Sequence, residues 1–158
     1  MGQTQRIRAR DALTDLILTL FRVNNLALAW GDRLVAPFGL TSARWQILGA
    51  IVFAERPQPV AWLARDLGAN RQNVQRIVND LHKEGLAVFE PNPHHRRAQL
   101  VVLTEKGRRA YDAAVKAYYP KADALTGGLS ISDIKTAHHV MVALREKLEG
   151  ENDTAEKT

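Results

Sequence analysis

The stretch VAWLARDLGANRQNVQRIVNDLHKEGL, residues 60–86, decides the fold. It opens with a short helical run, Val60 to Leu67, closed by Gly68. Asn70 is placed as a helix N-cap, since its side-chain oxygen can take the free N–H groups of a first turn. From Arg71 to Lys83 the apolar residues Val74, Ile77, Val78 and Leu81 recur at i, i+3, i+4 and i+7, the stripe of an amphipathic helix. The other side carries Arg71, Gln72, Gln75, Arg76 and Asn79, and Gly85 is a C-terminal stop. Two helices joined by a tight glycine turn form a helix-turn-helix.

Downstream the period changes. Leu86–Glu90 and Gln99–Leu103 read as short strands, and Pro91–Arg97 between them, with two prolines, an asparagine and two arginines, is a protruding basic turn. Helix, turn, helix and hairpin in that order make a winged helix-turn-helix. Thr104, with Glu105 in the first turn, restarts a helix that runs to about Ala124 and ends near Gly127–Gly128. Ser130 and Asp133 match a capping box for a last helix carrying Ile131, Ile134, Met141, Leu144 and Leu148 and stopping at Gly150. Residues Glu151–Thr158 are expected to be a disordered polar tail. Upstream, Arg10 to about Trp30 is a helix with Leu13, Leu16, Ile17, Leu20 and Val23 at helical spacing, ended by Gly31, Pro37 and Gly39. Thr41 caps a second helix whose stripe is Trp45, Leu48, Ile51, Val52 and Phe53, and Glu55–Pro59 is a loop. The fold class is mostly α, formally α+β.

Composition narrows the function. The chain has 158 residues, 46% hydrophobic and 25% charged, which suits one globular domain with a core. The absence of cysteine removes disulfides, thiolate metal sites and thiol redox sensing. No apolar run follows the positive start, so no signal peptide is expected, and no stretch of about 18 or more apolar residues is read, so no membrane span is expected. Net charge is +5 and unevenly spread: Pro57–Arg109 holds nine Lys/Arg against five Asp/Glu, whereas residues 110–158 hold six against eight. A basic middle points to a polyanionic partner bound there.

The outer face of 71–83 carries side chains suited to reading duplex DNA. Asn and Gln pair bidentately with adenine and Arg with guanine in the major groove. Gln72, Asn73, Gln75 and Arg76 are the candidates for base contact, because the first turns of such a helix enter the groove. Arg71, Arg65 and Arg44 are candidates for phosphate. Arg96 and Arg97, in the hairpin turn, suit the negative potential of a minor groove. A merely solvated polar face is the default for any helix; the helix-turn-helix context and the hairpin favour DNA. RNA modules display aromatics for stacking, and only Trp62 stands out here, where a polar residue would be usual. Trp30 and Trp45 are candidates for a small-molecule cleft, against the plainer reading that they are core. The pairs His94–His95 and His138–His139 do not chelate well, since neighbouring side chains diverge, and no metal site or cofactor is expected. No glycine-rich phosphate loop, nucleophile elbow or His-Glu-x-x-His occurs, so the chain does not read as an enzyme.

Four blocks carry a resemblance: TSARWQIL (41–48), VAWLARDLG (60–68), RQNVQRIVNDLHKEGL (71–86) and RRAQLVVLTEKG (96–107), the last with its Leu-Thr-x-Lys-Gly ending. Together, in this order and spacing over about residues 10–150, they resemble the multiple antibiotic resistance regulator (MarR) family. The resemblance implies a cytoplasmic homodimer on double-stranded DNA with a palindromic operator. It implies an N-terminal dimerisation helix in 1–36, a DNA-binding lobe in 37–109 with a recognition helix about 71–84 and a wing about 86–103, and C-terminal dimerisation helices in 110–150. It further implies repression of nearby genes, relieved by a small, commonly aromatic effector in a cleft between the two lobes. A ligand-independent module acting through protein contacts is the alternative. Arg97 matches the wing arginine that enters the minor groove. The family's acidic residue two positions earlier is here His95, which removes an ion pair bracing the wing and implies a more mobile or pH-sensitive one.

Overall fold

The structure, a computed structural model, describes residues 3–155. Its elements are α1 (Gln3–Val35), a single 3-10 turn (Ala36–Phe38), α2 (Ser42–Phe53), β1 (Gln58–Pro59), α3 (Val60–Asp66), α4 (Arg71–Lys83), β2 (Ala87–Glu90), β3 (Leu100–Leu103), α5 (Glu105–Leu125) and α6 (Ile131–Ala155). The chain divides into two compact units, residues 1–118 and 119–158.

In the first unit, the stripe predicted on α4 is the heart of the core: Val74, Ile77, Val78 and Leu81 are all buried, together with Leu48 of α2, Leu63 of α3 and Val101 of β3. Asn70 caps α4 as expected, accepting from the N–H groups of Gln72 (2.9 Å) and Asn73 (3.2 Å). Thr41 caps α2, accepting from Arg44 N–H at 3.3 Å. The sheet is antiparallel in the order β1-β3-β2, with Ala87 opposite Leu103 and Glu90 opposite Leu100. β1 replaces part of the expected Glu55–Pro59 loop: Gln58 pairs with Val101 and Pro59 with Leu100. Two residues, one of them a proline without an N–H, give no strand signal, and an edge is where such a proline fits.

Helix α1 is longer than its pattern predicted, because it runs straight through Gly31. Gly31 is a packing residue there: a Cβ would overlap Ser42 Oγ. Ser42 is buried, its hydroxyl donating to Leu28 O (2.8 Å) and its N–H to Asp32 Oδ1 (2.6 Å). The start of α2 is thereby tied to the last turns of α1. Most of α1 remains open, with Leu13, Leu18, Phe21, Val23 and Leu26 exposed. Averaged over eighteen residues it is apolar enough to cross a membrane by length and composition. This corrects the expectation that no such segment occurs; scattered charges break every unbroken run but do not offset the mean. An apolar face meeting another helix passes the same test.

The joint between α4 and α5 explains Leu-Thr-x-Lys-Gly. Gly85 turns the chain with φ +71. Thr104 Oγ1 donates to Gly85 O (2.7 Å) and accepts from Gly107 N–H (3.0 Å), capping α5. Lys106 Nζ donates to Glu84 O (2.7 Å) and Thr104 N–H to Leu86 O (3.1 Å). Gly107 lets α5 lie against Leu86, whose carbonyl oxygen a Cβ would overlap and whose carbonyl carbon it would approach to 2.9 Å. One pentapeptide thus fixes the end of α4 and the root of the hairpin to the start of α5.

In the second unit, Ser130 caps α6, accepting from Asp133 N–H (3.0 Å) and donating to Asp133 Oδ2 (2.7 Å). Pro120 lies inside α5. Helix α6 continues past Gly150 to Ala155, so the expected stop and the disordered reading of residues 151–155 are corrected. A glycine stops a helix by adopting positive φ, and Gly150 is not among those that do; within a helix it costs only about 1 kcal/mol. The remainder of the tail, 156–158, lies outside the described residues. Leu129, Ile131, Ile134, Val140 and Leu148 are exposed.

Candidate nucleic-acid interface

At 3.6 residues per turn, Gln72, Arg76 and Asn79 lie opposite the buried stripe of α4, with Arg71 and Asn73 on its flanks. All five are exposed, and Gln75 is half-buried. The face is held in order: Arg76 Nη2 donates to Asn73 Oδ1 (2.9 Å) while Nη1 lies 3.6 Å from Asp80, and Gln75 Nε2 donates to Asn79 Oδ1 (3.0 Å). These partners restrain the polar side chains and lower the ordering cost of any contact they make. Arg65, on α3, is exposed.

Arg96 and Arg97 are exposed at the hairpin tip, and neither makes an ion pair among the described residues. The tip is braced by Asn92, the asparagine that marked the turn in the sequence. Asn92 Nδ2 donates to Ala98 O (2.9 Å), and Asn92 Oδ1 accepts from His94 N–H (3.0 Å). Ala98 N–H donates to His95 O at 3.0 Å. One amide therefore clasps both sides of the turn where an acid–arginine pair was missing. The signal was available in Pro-Asn-Pro, because Asn bonds its own backbone two residues on.

Arg44 is engaged within the fold. It pairs bidentately with Glu84, Nη1 donating to Oε2 at 2.9 Å and Nη2 to Oε1, and Nη1 also reaches Gly39 O (3.3 Å). Glu84 is the C-cap of α4, about 20 Å along the helix from Arg71. Arg44 thus joins α2 to the far end of α4 and is not brought together with Arg71 and Arg76. Its hydrogen bonds hold the Glu84 carboxyl below the usual carboxylate range; partial burial opposes this, and the charges of Arg44 and Lys106 add to it. A carboxylate with a depressed folded pKa stabilises above its unfolded pKa and loses that contribution as pH falls through the folded one. Glu84→Gln should therefore cost about 0.5–1 kcal/mol near neutral pH, the range of a half-exposed pair with good geometry. Urea unfolding should show the gap from wild type closing in acid; an equal gap at both pH values would contradict this role.

A cleft of about 730 Å³ opens between α2, α3 and α5, lined by Trp45, Phe53, Arg56, Gln58, Trp62 and Tyr111 among others. Trp45 lies on it, and Trp30 does not. Trp30 instead meets Tyr118 edge-on (centroids 6.0 Å apart), which also packs on Trp45 at 5.5 Å. Phe53, 79% exposed although counted in the apolar stripe of α2, stands at the rim against Tyr111. Phe53, Trp62 and Tyr111 were not predicted to line it; helical spacing cannot say which three elements meet. A second cleft, about 590 Å³, lies beside the hairpin tip, between β1, α3 and Asn92–His95. No group of three or more metal-ligating side chains occurs among the described residues.

A capped helix with an exposed amide–arginine face, seated on a helix-turn-helix and followed by a clasped basic hairpin, defines a winged-helix DNA-binding protein. A sequence model of the MarR family matches residues 38–98, the span from the 3-10 turn before α2 to the hairpin tip. The chain belongs to the MarR family of transcriptional regulators. It is 42% identical over 103 residues to the uncharacterized protein Rv2011c of Mycobacterium tuberculosis, covering 65% of this chain and 71% of that one. It is 28% identical over 149 residues to the transcriptional activatory protein BadR of Rhodopseudomonas palustris, covering 89% and 82%. Among solved structures it resembles the M. tuberculosis transcriptional regulator MosR in complex with DNA (TM-score 0.73, 22% identity, 85% of this chain and 96% of that). It also resembles CouR of Rhodococcus jostii bound to p-coumaroyl-CoA (TM-score 0.74, 22% identity, 82% and 91%).

Proposed function

We propose that the protein acts as a cytoplasmic homodimer on a palindromic operator, repressing nearby genes until a small molecule enters the cleft beside Trp45. The observation that carries this reading is the pairing of a free basic hairpin tip and a preordered α4 face with long helices whose apolar sides are open. Leu18, Phe21, Val23 and Leu26 of α1, and Ile131, Ile134 and Leu148 of α6, are exposed, and apolar surface of that extent marks an interaction site. The dimerisation surface comprises helices of 1–36 and 110–150; the DNA-binding lobe spans 37–109.

Gln72, Asn73, Gln75 and Arg76 read bases, Arg71 and Arg65 hold phosphates, and Arg96 and Arg97 enter the flanking minor groove; Arg44 serves the fold. The aromatic lining of the first cleft suits a planar effector. The resemblance to CouR, solved with p-coumaroyl-CoA, supports a ligand-responsive reading, and that to MosR, solved with DNA, supports operator binding. Sedimentation and footprinting test the proposal together. It expects a dimer in solution and two protected half-sites with centres about 10 bp apart, one turn of B-DNA. A monomer protecting a single site would overturn it.

A further inference from the structure

We infer that Trp62 is a positioning residue that couples occupancy of the first cleft to the hairpin that carries Arg96 and Arg97. This rests on the first cleft being the effector site. Arg56, Gln58 and Trp62 line both clefts, so the Trp62 side chain is a wall shared by them. It is 53% exposed, whereas its neighbours Leu63 and Ala64 are buried. A ring held on one side only can be displaced without opening the core.

The backbone beneath it leads directly to the hairpin. Pro59 is both the N-cap of α3 and the last residue of β1. Gln58 and Pro59 pair with Val101 and Leu100 of β3, the strand returning from the tip. A two-residue ladder containing a proline has few hydrogen bonds to lose when it shifts. Gln58 lines both clefts, and its Oε1 is buried with no hydrogen-bond partner among the described residues, a costly state that a donor reaching it would relieve. A molecule that pushes Trp62 aside and engages Gln58 thus pulls on β1, and through β3 on the turn clasped by Asn92.

Filling the first cleft from within tests this without a known effector. A Cβ on Gly49 would lie 3.5 Å from Tyr111 Cε2, an ordinary contact, so Gly49→Leu places a side chain in the cleft over Tyr111; Ala50→Phe is the second filling variant should the first not fold. Hydrogen exchange of residues 91–99 in the full-length protein is measured with and without Trp62→Ala. Affinity is measured for oligonucleotides enriched by the wild-type protein from a random pool. The filled cleft should change hairpin exchange roughly fivefold or more, the low end of allosteric coupling, and Trp62→Ala should abolish the change while Trp62→Phe keeps it. The same change with and without Trp62 would overturn the role of Trp62 and leave the effector cleft standing. Unchanged exchange with altered DNA affinity would place the coupling on another route. Unchanged exchange and unchanged affinity would overturn the effector reading as well.

Discussion

Gly107→Ala should destabilise the DNA-binding lobe by about 3 kcal/mol or more, the upper range for forcing a methyl group into packed structure. The methyl group would overlap the carbonyl oxygen of Leu86. That atom cannot swing aside as a side chain would: it is backbone, and it accepts from Thr104 N–H at 3.1 Å. Relief requires α5 to move off the end of α4, which breaks the bonds of Thr104 and Lys106 to Gly85 O and Glu84 O. The sign is the informative part. An open helical Gly→Ala change gains up to about 1 kcal/mol, as expected at Gly150, where nothing lies within 4 Å of the added atom. Thermal unfolding should show Gly107→Ala melting roughly 6–12 °C below wild type. A variant as stable as wild type would mean that α5 does not lie against Leu86 as described.

The second large effect is on binding. Arg97→Ala should weaken specific DNA binding by roughly 1–3 kcal/mol, the worth of one good groove contact, with folding untouched. Arg97 is exposed and has no ion pair among the described residues, so removing it orphans no acidic partner. Arg71→Ala should instead weaken binding to all sequences alike and lower the salt dependence by about one counterion. Equal loss for cognate and scrambled DNA on Arg97→Ala would move Arg97 to the phosphate contacts.

What could be read in advance follows from the range of each interaction. The cap at Asn70, the stripe of α4, the turn at Gly85 and the two hairpin strands are set by residues within about one or two turns of each other, and their positions followed from spacing alone. The misreadings share the opposite character. Gly31 looked like a stop because the atom that demands a glycine belongs to Ser42, eleven positions on. The ion pair of Arg44 went unread because its partner Glu84 is forty residues away. β1 exists only because β3 offers it an edge. The cleft joins Trp45, Trp62 and Tyr111 from three helices, which no single periodicity relates. The polar face of α4 was the most legible part of the site, since its nine remaining exposed or half-exposed positions follow once the four buried ones are fixed.

The central claim is that this polar face and the hairpin read a DNA sequence. Fluorescence anisotropy on the DNA upstream of its own coding sequence, and on oligonucleotides enriched from a random pool, against scrambled controls across a salt series, tests it most directly. The account predicts binding to the cognate DNA about 10³-fold or more tighter than to the scrambled control near 0.15 M salt, with both affinities falling as salt rises. Equal binding to both that vanishes with salt would contradict it and leave only a basic surface.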